Sequence, residues 1–171
     1  MAKISISLSE KSIDDAIKEL RRYKETLPLK LKAIRDRVAE ELLKQVETGF
    51  NGAIYNDVIY EGMSVPNVSV TLEENGNAVF VVAHGTEAVF AEFGAGIYYN
   101  PNGSDHPERP AGIVAIGEYG KGYGARKVWG YYENGELKLT HGTPASMPMY
   151  NAAQAVAKLV PEIAKEVFEK R

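Results

Sequence analysis

Apolar residues near both ends of this chain recur every three or four positions, while those in the middle alternate. That contrast limits the fold to helices combined with antiparallel strands. Leu31, Ile34, Val38, Leu42 and Val46 make one helical stripe, and Tyr150, Ala153, Val156, Val160, Ile163, Val167 and Phe168 make another. Between them Val68, Val70 and Leu72 alternate, Glu74-Asn75-Gly76-Asn77 turns, and 79–82 is continuously apolar. This predicts a hairpin whose second strand is buried on both faces. A second hairpin is predicted at 128–140, where Asn134-Gly135 favours a type I′ turn.

The remaining signals are local. Ile4, Ile6 and Leu8 alternate with serines, which reads as a short strand. Ser12 with Asp15 approximates a capping box for a helix carrying Ile13, Ala16, Ile17, Leu20 and Tyr23. Pro28 breaks or restarts that pattern, and Gly49 is the expected stop of the second helix. Residues 50–65 read as a loop with a short strand at 58–60. Thr86 is placed to cap a short helix through Phe93, which Gly94 ends. Ser146 and Pro148 form a cap and first-turn pair for the last helix, with a kink expected at Pro161.

A chain of 171 residues fits one domain. Its expected parts are an N-terminal strand and helices (1–50), two hairpins with long Gly/Pro-rich loops (66–142) and a C-terminal helix (146–171). Cysteine is absent, so disulfides and thiolate metal sites are excluded. The formal net charge of −3 gives no strongly basic nucleic-acid footprint. No apolar h-region follows the basic start, and no apolar run approaches about 18 residues. Neither a membrane span nor a membrane partner is expected, and synthesis in the cytoplasm is the default.

No cluster states a chemistry by itself. Gly120-Lys121-Gly122-Tyr123-Gly124-Ala125-Arg126-Lys127 lacks the spacing and strand-to-helix context of a phosphate loop. It reads as a mobile loop, or as a basic hinged loop that orders on a partner or on DNA phosphates through Lys121, Arg126 and Lys127 beside Tyr123. Asp105, His106 and Glu108 are three neighbours on a loop, too few and too local to imply a metal. His84 and His141, with Glu92, would make a zinc set for a small metal-dependent hydrolase if the two hairpins shared a sheet. Glu92 lies between Phe90 and Phe93, where burial would favour a proton-donating acid. The commoner arrangement is a carboxylate satisfied by backbone N–H groups or an arginine, and that is the expectation for Glu92. Trp129, Tyr131 and Tyr132 fit cross-strand packing and an intersubunit surface equally well.

Three features in order carry a resemblance. Arg35-Asp36-Arg37-Val38-Ala39-Glu40 comes first, then Phe90-Ala91-Glu92-Phe93-Gly94. Trp129-Gly130-Tyr131-Tyr132 follows, with Thr140-His141-Gly142-Thr143-Pro144-Ala145 and Met147-Pro148-Met149 before the last helix. Over residues 30–171 the chain resembles the neck proteins of long-tailed phages, the gene-product-ten-like family of head–tail joining or tail-completion proteins. The resemblance implies an α+β fold, with N-terminal helices and a C-terminal helix packed on a curved, mainly antiparallel sheet. It also implies a structural virion protein of a phage or prophage, assembled in the host cytoplasm and carried in the virion neck. Copies would form a homo-oligomeric ring between the head connector or head-completion protein and the tail terminator or tail tube, with double-stranded DNA passing through the lumen. The family implies no catalytic residue and no cofactor. It points to Glu92, Phe93, Gly94, Pro144, Ala145 and Pro148 as structural motif residues. Lys121, Tyr123, Arg126, Lys127, Trp129, Tyr131 and Tyr132 are the expected subunit or partner contacts.

Overall fold

The computed structural model describes residues 9–58, 61–94, 128–143 and 145–169. The fold is α+β, with three helices and two small antiparallel sheets among the described residues. In chain order these are α1 (Glu10–Asn51), β1 (Tyr55–Val58), β2 (Gly62–Ser64), β3 (Ser69–Asn75), β4 (Ala78–His84), α2 (Thr86–Phe93), β5 (Trp129–Glu133), β6 (Glu136–Thr140) and α3 (Pro148–Glu169). The expected strand at 4–8 and the loops at 97–112 and 120–124 lie outside the described residues.

One helix replaces the two expected before residue 51. It runs 42 residues through Pro28, about 60 Å at the usual rise per residue. Pro28 is exposed, so water can satisfy the carbonyl that its missing N–H leaves open, and the helix continues. Its cap is Ser9, not Ser12: the Ser9 side chain accepts a bond from the Ser12 N–H at 3.3 Å. Gly49 does not stop the helix. A Cβ there would lie 2.8 Å from the Pro148 Cβ, so its role is close approach to the start of α3.

Helices α1 and α3 pack antiparallel. Pro148 meets Gly49 at one end, and at the other the Lys30 Nζ donates to the Phe168 carbonyl at 3.1 Å and sits 5.4 Å from the Phe168 ring centroid. Between them the Arg37 guanidinium donates to Glu166 at 2.8 Å. Polar residues of α1 are therefore partly used to fasten α3. Arg35 reaches the first hairpin, 3.6 Å from a Glu74 carboxylate oxygen. Residues of α1 before Lys30 extend past the end of α3.

The two hairpins do not share a sheet. Among the described residues β3 and β4 pair only with each other, from Ser69↔His84 to Asn75↔Ala78, and pack against α1. The other sheet has the order β2-β1-β6-β5, joined where Val58 pairs with Thr140. A strand forms at Tyr55–Val58, where β6 supplies a partner, and residues 59 and 60 of the strand expected at 58–60 lie outside the described residues. Strand β4 is not buried on both faces: Phe80 is half exposed while Val79, Val81, Val82 and Ala83 are only partly covered. A two-stranded sheet lying on one helix has only one face to hide. Both hairpin turns follow their chemistry. Asn134 and Gly135 have φ of 52° and 85°, the type I′ pattern, and Gly76 takes φ 60° as the first residue of a two-residue loop.

The core sits where the end of α1, the first hairpin, α2 and the start of α3 converge. Val46, Phe50, Ala53, Ala88, Ala91 and Ala152 are its buried members, with Leu42, Val68, Val70, Val81, Ala83 and Met149 packed around them. The alanines let three helices approach closely, as Gly49 does at Pro148. Gly49→Ala should destabilise the protein by up to about 2 kcal/mol. Better helix propensity gains about 1 kcal/mol, but overpacking against a ring carbon costs about 1–3 kcal/mol. Urea unfolding measures it, and a more stable variant would show that α3 shifts freely.

Candidate functional site

Glu92 is the centre of the most specific arrangement in the fold. It lies in the last turn of α2 and is 6% exposed. One carboxylate oxygen accepts the Met149 N–H at 2.8 Å and the other accepts the Tyr150 N–H at 2.9 Å. Both donors lie in the first turn of α3, where no intrahelical carbonyl can reach them. The neighbouring Ala91 carbonyl accepts the Ser146 N–H at 2.9 Å and the Met147 N–H at 3.3 Å. Pro148, between the two pairs, has no N–H to satisfy. Asn151 begins the regular ladder by donating to the Met147 carbonyl at 2.9 Å. Every N–H from Ser146 to Asn151 is thus accounted for. A negative charge also rests at the positive end of a 22-residue helix dipole.

The local sequence explains how the joint is built. Gly85, at φ 128°, lets the chain turn from β4 into α2, and a Cβ there would meet the Asn67 carbonyl at 2.6 Å. The Glu87 carboxylate accepts the Asn67 N–H and fastens the same corner. Thr86 is the first residue of α2, and its cap position belongs to Gly85. Gly94 ends the helix at φ 76° with its N–H on the Phe90 carbonyl at 2.7 Å, as expected of it. Met147 takes φ 52°, a left-handed conformation unusual for a side chain of its size, which swings the chain into α3. Ser146 contributes its backbone to the joint, and the cap expected of its side chain is made by Glu92.

Beside the joint lies an open groove of about 1010 Å³. Phe50 and Glu92 are at its base, with α2, the start of α3 and the first hairpin around it. Its wall is largely apolar, including Phe80, Val89, Phe93 and Met149. Glu73 and Glu74 stand on its rim, and among the described residues the lining contains no lysine or arginine. Nothing in the sequence marked this groove. Its apolar residues come from four elements, and each is unremarkable within its own.

The structure treats the other expected site residues unevenly. Phe93, Gly94, Ala145 and Pro148 gather at the joint with Glu92, while Pro144 lies outside the described residues. Lys121, Tyr123, Arg126 and Lys127 also lie outside them. Trp129 pairs with Thr140 and Tyr131 with Lys138 across the second hairpin. Tyr131 is half-buried, whereas Tyr132 is 76% exposed opposite an exposed Leu137. The second hairpin is also held by an ion pair between Lys138 and Glu61.

The zinc set of His84, His141 and Glu92 is not assembled. His84 ends β4 in the two-stranded sheet, while His141 follows β6 in the other. The His84 Nε2 lies 2.8 Å from the Thr71 hydroxyl and 3.6 Å from a Glu73 oxygen, a local strand-end arrangement. Among the described residues no three His, Asp or Glu side chains converge to hold a metal ion. Asp105, His106 and Glu108 lie outside them. No described helix is long and apolar enough to cross a membrane. No protein-family model, curated protein or solved structure matches this chain.

Proposed function

We propose that this protein is a structural component of a tailed-phage or prophage neck. In this reading its copies form a ring that joins the head connector to the tail around the DNA passage. The support is the joint at Glu92. The two most distinctive motifs, Phe90-Ala91-Glu92-Phe93-Gly94 and Ala145-Ser146-Met147-Pro148-Met149, meet as one building element. The buried carboxylate that a hydrolase would need is committed through both oxygens to holding a helix. An apolar groove beside the joint and the exposed Tyr132 on the second hairpin leave surface for neighbours. A ring built from one repeated head-to-tail contact requires such surfaces on each copy.

The test is the protein's copy number in gradient-purified tailed particles, measured by quantitative mass spectrometry against the major capsid protein. A low, fixed number consistent with one ring per particle is expected. Absence from mature particles while the protein is abundant in the producing cells would overturn the reading.

A further inference from the structure

Strand β4 has an open edge. It reads Ala-Val-Phe-Val-Val-Ala-His from Ala78 to His84, with no proline, no acid and no lysine or arginine. Its register with β3 is unbroken by any bulge. Edges that carry none of these devices invite a further strand. The loop between β3 and β4 has two residues, so Asn75 and Ala78 exchange both of their main-chain bonds. By alternation Ala78, Phe80, Val82 and His84 turn their main-chain groups to β3. Those of Val79, Val81 and Ala83 point the other way, where among the described residues no strand pairs with them.

The groove beside the Glu92 joint runs along this edge. Phe80, Val81, Val82 and Ala83 all line it. Neighbours in a strand present opposite faces, so a cavity touching four in a row follows the strand's margin. Val81 and Ala83 pack toward the core on one face, and Phe80, on the other, is 51% exposed. A strand added here would lay one face over the groove and turn the other to water. It must therefore alternate apolar with small polar residues. Ile4, Ile6 and Leu8, alternating with Ser5, Ser7 and Ser9, have that pattern.

Reach decides which copy supplies the strand. Helix α1 begins at Glu10, directly after Ser9. The turn end of the first hairpin is level with Arg35, which meets Glu74, the partner of Val79. From Glu10 to Arg35 the helix spans about 38 Å. From Ile4 to Ser9 a fully extended chain spans about 17 Å. Residues 4–8 therefore cannot lie along β4 of their own chain. We infer that residues 4–8 of one copy add as a strand to the β4 edge of a second copy, with Ile4, Ile6 and Leu8 over the groove. The choice of a second copy rests on this distance and takes nothing from the neck reading.

The full chain is tested by sedimentation velocity at tens of micromolar, with Ile6→Asp as the arm variant and Val79→Pro as the edge variant. Proline at 79 removes one outward N–H and leaves the bonds to β3 in place. A circular dichroism melt checks that this variant folds. Wild type should sediment as a dimer or larger, and both variants as monomers. Hydrogen exchange gives a second readout that needs no proline variant. The N–H groups of Val79, Val81 and Ala83 should exchange at least about tenfold more slowly in wild type than in Ile6→Asp. A monomeric wild type, an Ile6→Asp or folded Val79→Pro variant that keeps the wild-type mass, or equal exchange of these three groups in wild type and Ile6→Asp would each overturn the contact. The neck reading stands or falls separately, on the particle measurement.

Discussion

Glu92→Ala should lower the stability of this protein by about 3 kcal/mol. The variant strands two backbone donors, Met149 N–H and Tyr150 N–H, in a part-buried joint. An unmade bond of this kind costs about 1–3 kcal/mol per buried group, and the loss of charge at the helix start adds up to about 1 kcal/mol at an ordinary site. Water entering the space left by the side chain recovers part of that, which keeps the total near the lower sum. For a chain of this length the midpoint of thermal unfolding should fall by roughly 6–12 °C. Glu92→Gln should cost less, about 2 kcal/mol, because one oxygen still accepts while the amide turns a donor toward a donor. Urea and thermal unfolding of both variants provide the measurement. A loss below about 0.5 kcal/mol in the alanine variant would mean that α3 holds its position without the carboxylate.

Phe50→Ala should be costlier still, about 4 kcal/mol, within the range for truncating a buried aromatic side chain. Phe50 is 2% exposed and sits among Val46, Ala53, Ala88, Ala91 and Ala152. Alanines have no side-chain rotamers with which to fill a hole, so the cavity would persist unless whole helices moved. Those helices are fixed by the joint at Glu92 and by the contact of Gly49 with Pro148. Val46→Ala, at a fully buried position, removes two carbons instead of a ring and should cost about half as much. Chemical unfolding with an unchanged m-value should show the ranking. Equal losses for the two variants would mean that the Phe50 site collapses after all.

Local chemistry was legible in the sequence wherever a few neighbouring residues decide the outcome. Asn134-Gly135 forms its turn because both residues tolerate positive φ. Gly94 ends α2, and α3 starts at Pro148, for equally local reasons. The type of bond made by Glu92 was also legible, since a buried carboxylate needs donors. Its donors were not, because they lie 57 and 58 positions further along the chain. Pro28 misled because its effect depends on which way its ring faces, and it faces water. The separation of the hairpins into two sheets depends on the pairing of Val58 with Thr140, a long-range contact that neither strand announces. The groove was illegible for the same reason.

The joint between α2 and α3 also bears on how such a chain can drift over time. Ser146, Met147, Met149 and Tyr150 all enter it through main-chain N–H groups, and Ala91 through its carbonyl. Atoms that every amino acid except proline carries make up nearly the whole connection. Glu92 is the one side chain whose oxygens it requires, and Pro148 the one position where a missing donor is useful. Two proteins could keep this connection intact while sharing hardly a letter around it. Kinship among them would survive as a geometry, one acidic residue placed at the start of a distant helix, long after it had faded as text.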